Sequence, residues 1–133
     1  MRRIRLFVYG SLLVGPVACA VLGRTPAYRP AVLDGYRRCS LRGQRFPGLL
    51  PDPAAQTPGA LIEVSPRELR RLDRYEDDFY LRRCVQVRCA QGHLPAQTYV
   101  LDPRCRRYAL ARPWQIPRHA TSARGLPDTS PRP

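Results

Sequence analysis

Residues 6–13 read LFVYGSLL, and the way this stretch ends decides how the chain is to be folded. Leu6, Phe7, Val8 and Tyr9 are residue types that fill buried strands, so a strand over residues 3–9 is predicted. It stops abruptly at Tyr-Gly-Ser-Leu. Gly10 can take φ > 0 and lets another group approach the backbone closely, which suits either a binding loop or an ordinary strand end. Immediately downstream, Val17–Leu22 reads as one or two turns of helix. Around Ala31–Leu41 the apolar positions Val32, Leu33, Tyr36, Cys39 and Leu41 alternate imperfectly, with a turn or bulge at Asp34-Gly35.

The next segment, FPGLLPDPAAQTPG, carries four prolines, which argue against both a long helix and a central strand. It is expected to be an ordered loop with at most a short edge strand, followed by a strand over Ala60–Val64. SPRELRRLDRYE has the strongest helix signals in the chain. Ser65 is a suitable N-cap, Pro66 occupies the first helical position, and Glu68 completes an S-x-x-E capping box. FYLRRCVQVRCA and LPAQTYVLD then form two strands joined at Gln91-Gly92-His93. From Ala111 onward Pro, Arg, Ser and Thr dominate. Trp114 is expected to pack back on the domain, and the organisation is one domain over residues 1–116 with a Pro/Arg-rich, disordered tail over 117–133.

A chain of 133 residues has room for one domain with a real core. The five cysteines are odd in number and form no C-x-x-C pair, so they read as reduced and mostly buried in a cytoplasmic protein, with no metal site. The two histidines leave few candidates for a Ser-His-Asp triad. His93 reads as an exposed turn residue, and no G-x-S-x-G elbow surrounds Ser11. No apolar run reaches the length of a membrane span, and the basic Met1-Arg2-Arg3 start is followed by a run too short for a secretory signal. All 23 basic residues are arginine, against 10 acidic ones, a formal charge of +13. Such a charge draws anions of any kind. The arginines are dispersed as pairs without a recognition motif, so no specific nucleic-acid partner is expected.

The helix points to chemistry. At about 100° per residue, Leu69, Leu72 and Glu76 share one face, with Glu76 between the two leucines. A carboxylate on an apolar stripe either pairs with an arginine, such as Arg82 or Arg83 at a frayed helix end, or lies in a pocket with its pKa raised, as a general acid/base requires. Spacing alone favours the ion pair. Asp73, further round the helix, is better placed to brace a neighbouring element than to line that pocket.

An ordered series of motifs resembles the gamma-glutamyl cyclotransferase-like superfamily, including its avirulence-induced and gamma-glutamylamine cyclotransferase branches. The series is VYGSL at 8–12, FPGL at 46–49, GALIEV at 59–64, LDRYE at 72–76, Y-x-R-x-x-V-x-V from Tyr80 to Val87, and A-x-T-Y-V at 96–100. The resemblance implies an α+β fold: a small mixed, partly closed β-barrel of about six strands with the 66–76 helix packed against it. It also implies Glu76 as the catalytic acid/base, with substrate contacts at Tyr9, Gly10, Ser11, Leu12 and Tyr80, and so reverses the preference for an ion pair at Glu76. The implied partner is a small-molecule gamma-glutamyl substrate, converted to 5-oxoproline and a free amine without cofactor or metal. Removal of a gamma-glutamyl protecting group from a biosynthetic intermediate is the alternative reaction. A non-catalytic member binding an anion or nucleic acid is the alternative of another class. Neither a monomer nor a dimer is specified.

Overall fold

The computed structural model describes residues 2–114; the tail expected over 117–133 lies outside them. In chain order the elements are β1 (Ile4–Val8), α1 (Gly15–Leu22), β2 (Arg29–Leu41), β3 (Pro47–Val64), α2 (Pro66–Glu76), β4 (Tyr80–Cys89), β5 (Gly92–Leu101) and β6 (Ala109–Pro113). The strands run β3-β1-β5-β4-β2, and β2 pairs back onto β3, so five strands close a ring while β6 lies against β2. The β1–β5 pairing, at Leu6 and Gln97, is parallel and the other pairings are antiparallel. This is the mixed α+β barrel expected, with full closure and the sixth strand outside the ring.

The apolar run of β1 is continuous because both of its faces are covered. Side chains alternate across a strand: Leu6 and Val8 join Leu22, Leu69 and Leu72 beneath the two helices. Phe7 and Tyr9 turn the other way and pack among sheet residues alone, with Leu33, Leu49, Leu61 and Val87. Leu6, Phe7, Leu61 and Leu72 are each at most 1% exposed, and each such burial is worth about 2 kcal/mol of transfer free energy. No helix among the described residues is long and apolar enough to cross a membrane.

The capping box at α2 is formed as the sequence predicts. Ser65 Oγ accepts the Glu68 N–H at 3.1 Å, and Glu68 Oε1 accepts the Ser65 N–H at 2.9 Å. The bulge at Asp34-Gly35 also exists, as a register shift between Asp34 and Tyr36 with Gly35 at φ +86°.

The proline-rich segment corrects the sequence expectation. Pro47–Val64 is one strand of 18 residues rather than a loop. Its first half pairs with β2 from Ser40↔Pro47 to Tyr36↔Pro51 and, after the bulge, from Asp34↔Gln56 onward, whereas β1 takes up only residues 60–64. Over 47–58 one side of β3 therefore requires no ladder N–H, which is the setting where strands tolerate proline. The cysteines also differ from expectation. All five are free, but only Cys39 is buried, Cys89 and Cys105 are half-buried, and Cys19 and Cys84 are exposed. Trp114 packs back as expected, 8% exposed.

Candidate active site

At the C-terminal end of β1 the chain makes a 3-10 turn over Ser11–Leu13, closed by the Leu13 N–H donating to the Gly10 carbonyl at 2.9 Å. The turn forms one wall of a small cleft. Phe7, Val8, Tyr9, Gly10, Ser11 and Leu12 line this side. Facing them are Glu76 at the end of α2, Tyr80 at the start of β4, Tyr99 from β5, and the Phe46-Pro47 entry to β3. All six site residues read from the sequence thus meet in one place, although Glu76 is 64 positions or more from the Tyr9–Leu12 turn.

Gly10 serves the close approach that the sequence suggests, not a positive φ. Its φ is −129°, outside the left-handed region. A Cβ at this position would instead lie 2.9 Å from Pro47 Cγ and 3.0 Å from Pro47 Cδ, so glycine lets the two walls touch. Tyr80 reinforces the contact by donating its hydroxyl to the Pro47 carbonyl. Leu12 is 4% exposed and anchors the turn in the core under the helices, while its carbonyl accepts the Tyr28 hydroxyl at 2.6 Å. Ser11 Oγ lies 3.3 Å from the Tyr75 hydroxyl, tying the turn to the last residues of α2.

A second wall is built from hydroxyls. Tyr9, buried, donates its hydroxyl to the backbone carbonyl of Tyr99. Tyr99 in turn donates to Asp73 Oδ1 at 2.6 Å, and Asp73 is held by Arg82 through Nε at 3.0 Å and Nη2 at 3.2 Å. Asp73 is therefore a brace joining α2 to β4 and β5, and Arg82, one of the two arginines offered as a partner for Glu76, is turned toward Asp73. Tyr99 was not singled out by its residue type. It sits in the A-x-T-Y-V motif, where it reads as an ordinary strand aromatic, and only the position of its hydroxyl marks it.

The phenols of the cleft are held in their neutral form. Burial raises the pKa of Tyr9 first, with the charge of Glu76 adding to it. The Tyr80 pKa is raised by burial, then by Tyr9 and Glu76. Tyr99 is likewise raised by burial and by its hydrogen bond to Asp73. These rings can donate hydrogen bonds at neutral pH but cannot serve as bases. Among the described lining residues, Glu76 is the carboxylate.

Fold and cleft together define a small barrel whose site lies between a backbone turn and a helix-borne carboxylate. The family model for gamma-glutamyl cyclotransferase, AIG2-like, matches residues 6–116, and the chain belongs to this family. It is similar to AIG2-like protein C of Arabidopsis thaliana, 38% identical over 98 residues, covering 71% of this chain and 57% of that protein. AIG2-like protein D of the same plant is 34% identical over 99 residues, covering 71% and 65%. The chain thus spans less than two thirds of the length of these relatives. The fold is shared with the solution structure of an Arabidopsis thaliana protein (TM-score 0.71, 32% identity, covering 87% of this chain and 72% of that one). It is also shared with an AIG2-like protein from Mus musculus (TM-score 0.64, 22% identity, covering 96% and 95%).

Proposed function

We propose that this protein is a gamma-glutamyl cyclotransferase that converts a gamma-glutamyl amine or amide to 5-oxoproline and the free amine, with Glu76 as general acid/base. The observation that carries this reading is the convergence of Glu76 and the Tyr9–Leu12 turn in one small cleft whose other ionisable lining groups are neutral phenols. Family membership supports the reaction class.

The chemistry needs little more. The substrate's α-ammonium is not a nucleophile until it loses a proton, and in this reading Glu76 accepts it. The freed amine then attacks the γ-carbonyl carbon, forming the lactam C–N bond and a tetrahedral oxyanion. Collapse of that oxyanion breaks the bond to the departing amine as Glu76 returns the first proton to the leaving nitrogen; the second proton, shed by the ring nitrogen as the neutral lactam forms, goes to the released amine, which leaves as an ammonium. No water is consumed. Holding the amine against its own carbonyl in a compact cleft supplies proximity, and N–H groups of the turn stabilise either the substrate carboxylate or the developing oxyanion.

Mass-spectrometric detection of 5-oxoproline released from gamma-glutamyl dipeptides, gamma-glutamylamines and glutathione tests this, with Glu76→Gln beside the wild type. Product from at least one class, reduced about 10²- to 10⁴-fold in the variant, is expected. An undiminished rate in Glu76→Gln would remove the assigned base, and no product from any class would remove the reaction.

A further inference from the structure

On the proposed reaction the cleft must receive an anion, and none of its described lining residues is a cation. A gamma-glutamyl head carries a carboxylate, so the positive potential it needs has to come from backbone N–H groups or from a charge standing behind them. Such a charge exists one peptide away. Arg38 on β2 is half-buried, and among the described residues it makes none of the ion pairs with carboxylates. Its Nη1 donates to the Tyr9 carbonyl at 2.8 Å. Burial lowers its pKa against a smaller opposing pull from Tyr9, yet an arginine so placed stays protonated.

The guanidinium is fixed from its other side. Its carbon lies 5.4 Å from the centroid of the Trp114 ring, a cation–π contact. Trp114 donates its Nε1–H to the Arg45 carbonyl at 2.7 Å, and Arg45 immediately precedes Phe46 and Pro47 on the facing wall of the cleft. The end of β6 is pinned to β2 by the Cys39↔Pro113 pairing and by Ser40 Oγ donating to the Pro113 carbonyl at 3.2 Å. Arg38 and Trp114 therefore join the two walls from behind.

In a planar trans peptide the C=O and the following N–H point in opposite directions, and no cis peptide occurs among the described residues. A charged donor on the Tyr9 carbonyl therefore leaves the Gly10 N–H pointing away from Arg38 and makes it a stronger donor, since hydrogen bonds in series polarise one another. We propose that Arg38, clamped by Trp114, is a positioning residue of this site: it fixes and polarises the Tyr9–Gly10 peptide so that the Gly10 N–H receives the anionic head of the substrate. The proposal rests on the gamma-glutamyl reading for its ligand but not for its structural test.

That test compares Arg38→Met, Arg38→Lys, Trp114→Ala and Trp114→Phe in the full chain by 15N–1H NMR, with steady-state 5-oxoproline release beside it. The Gly10 amide proton is expected to move upfield in Arg38→Met and Trp114→Ala and to stay near its wild-type position in Arg38→Lys and Trp114→Phe. KM should rise about tenfold in the first pair with kcat little changed, the opposite split from Glu76→Gln. An unmoved Gly10 amide in Arg38→Met, or shifts spread evenly through the barrel, would overturn the proposal. If the wild type releases no 5-oxoproline, the functional reading fails and the Gly10 amide alone decides the role of Arg38.

Discussion

The two ends of α2 each carry a glutamate, and they are treated in opposite ways. At the N-terminal end Glu68 is gripped by Arg24, Nε to Oε2 at 2.7 Å and Nη2 to Oε1 at 2.8 Å, and also accepts the Ser65 N–H. Led by the Arg24 hydrogen bond and opposed only by burial, these donors hold its carboxyl at about 2. At the C-terminal end Glu76 faces a cleft walled by three phenols and a backbone turn. One carboxylate is gripped by an arginine and a backbone N–H; the other borders the cleft, where the proposed reaction would use it. The difference lies in the surroundings, since the residue type, the helix and the apolar neighbours Leu69 and Leu72 are shared.

The comparison can be broken most forcefully at Glu76. Glu76→Gln should lower 5-oxoproline release about 10²- to 10⁴-fold and leave the thermal midpoint near that of the wild type, which a melt on the assayed sample checks. Leu72, fully buried between the two ends, is the control for packing. Leu72→Ala should cost about 3 kcal/mol in urea unfolding and should not separate the two functions of the helix.

Smaller effects sharpen the contrast. Glu68→Gln should destabilise on the order of 2 kcal/mol without loss of turnover per folded molecule. Its folded carboxyl releases its proton more readily than the ordinary value of 4.5. The stabilisation is therefore complete above about pH 4.5 and fades as pH falls through about 2, so wild type and variant should converge in stability toward that pH. Smallest is Tyr99→Phe, which removes the hydroxyl bonded to Asp73. It should cost about 1 kcal/mol in the same unfolding assay.

How legible each feature was follows from how local its cause is. The α2 start could be read because Ser65, Pro66 and Glu68 act within one turn. Glu76 could be placed on the apolar stripe for the same reason, but what it faces depends on residues from β1, β3, β4 and β5, and only the motif resemblance pointed there. The long β3 was misread because proline is judged by its ladder neighbours, and sequence does not tell that one side of residues 47–58 lies outside the ladder. Gly10 was read for a positive φ and for close approach to its backbone; its φ is ordinary, and the group that approaches is Pro47, 37 positions away in the chain, which no local signal names. Tyr99, Arg38 and β6 were likewise silent, because their partners are carbonyls and rings that no spacing rule reaches.

The most direct measurement scores Glu68→Gln and Glu76→Gln side by side for thermal midpoint and for 5-oxoproline release on whichever gamma-glutamyl substrate the wild type accepts. A crossed result is predicted: Glu68→Gln melts lower yet turns over, and Glu76→Gln melts normally yet does not. Turnover retained in Glu76→Gln, or lost equally in both variants, would contradict the division of the helix into a structural and a chemical end.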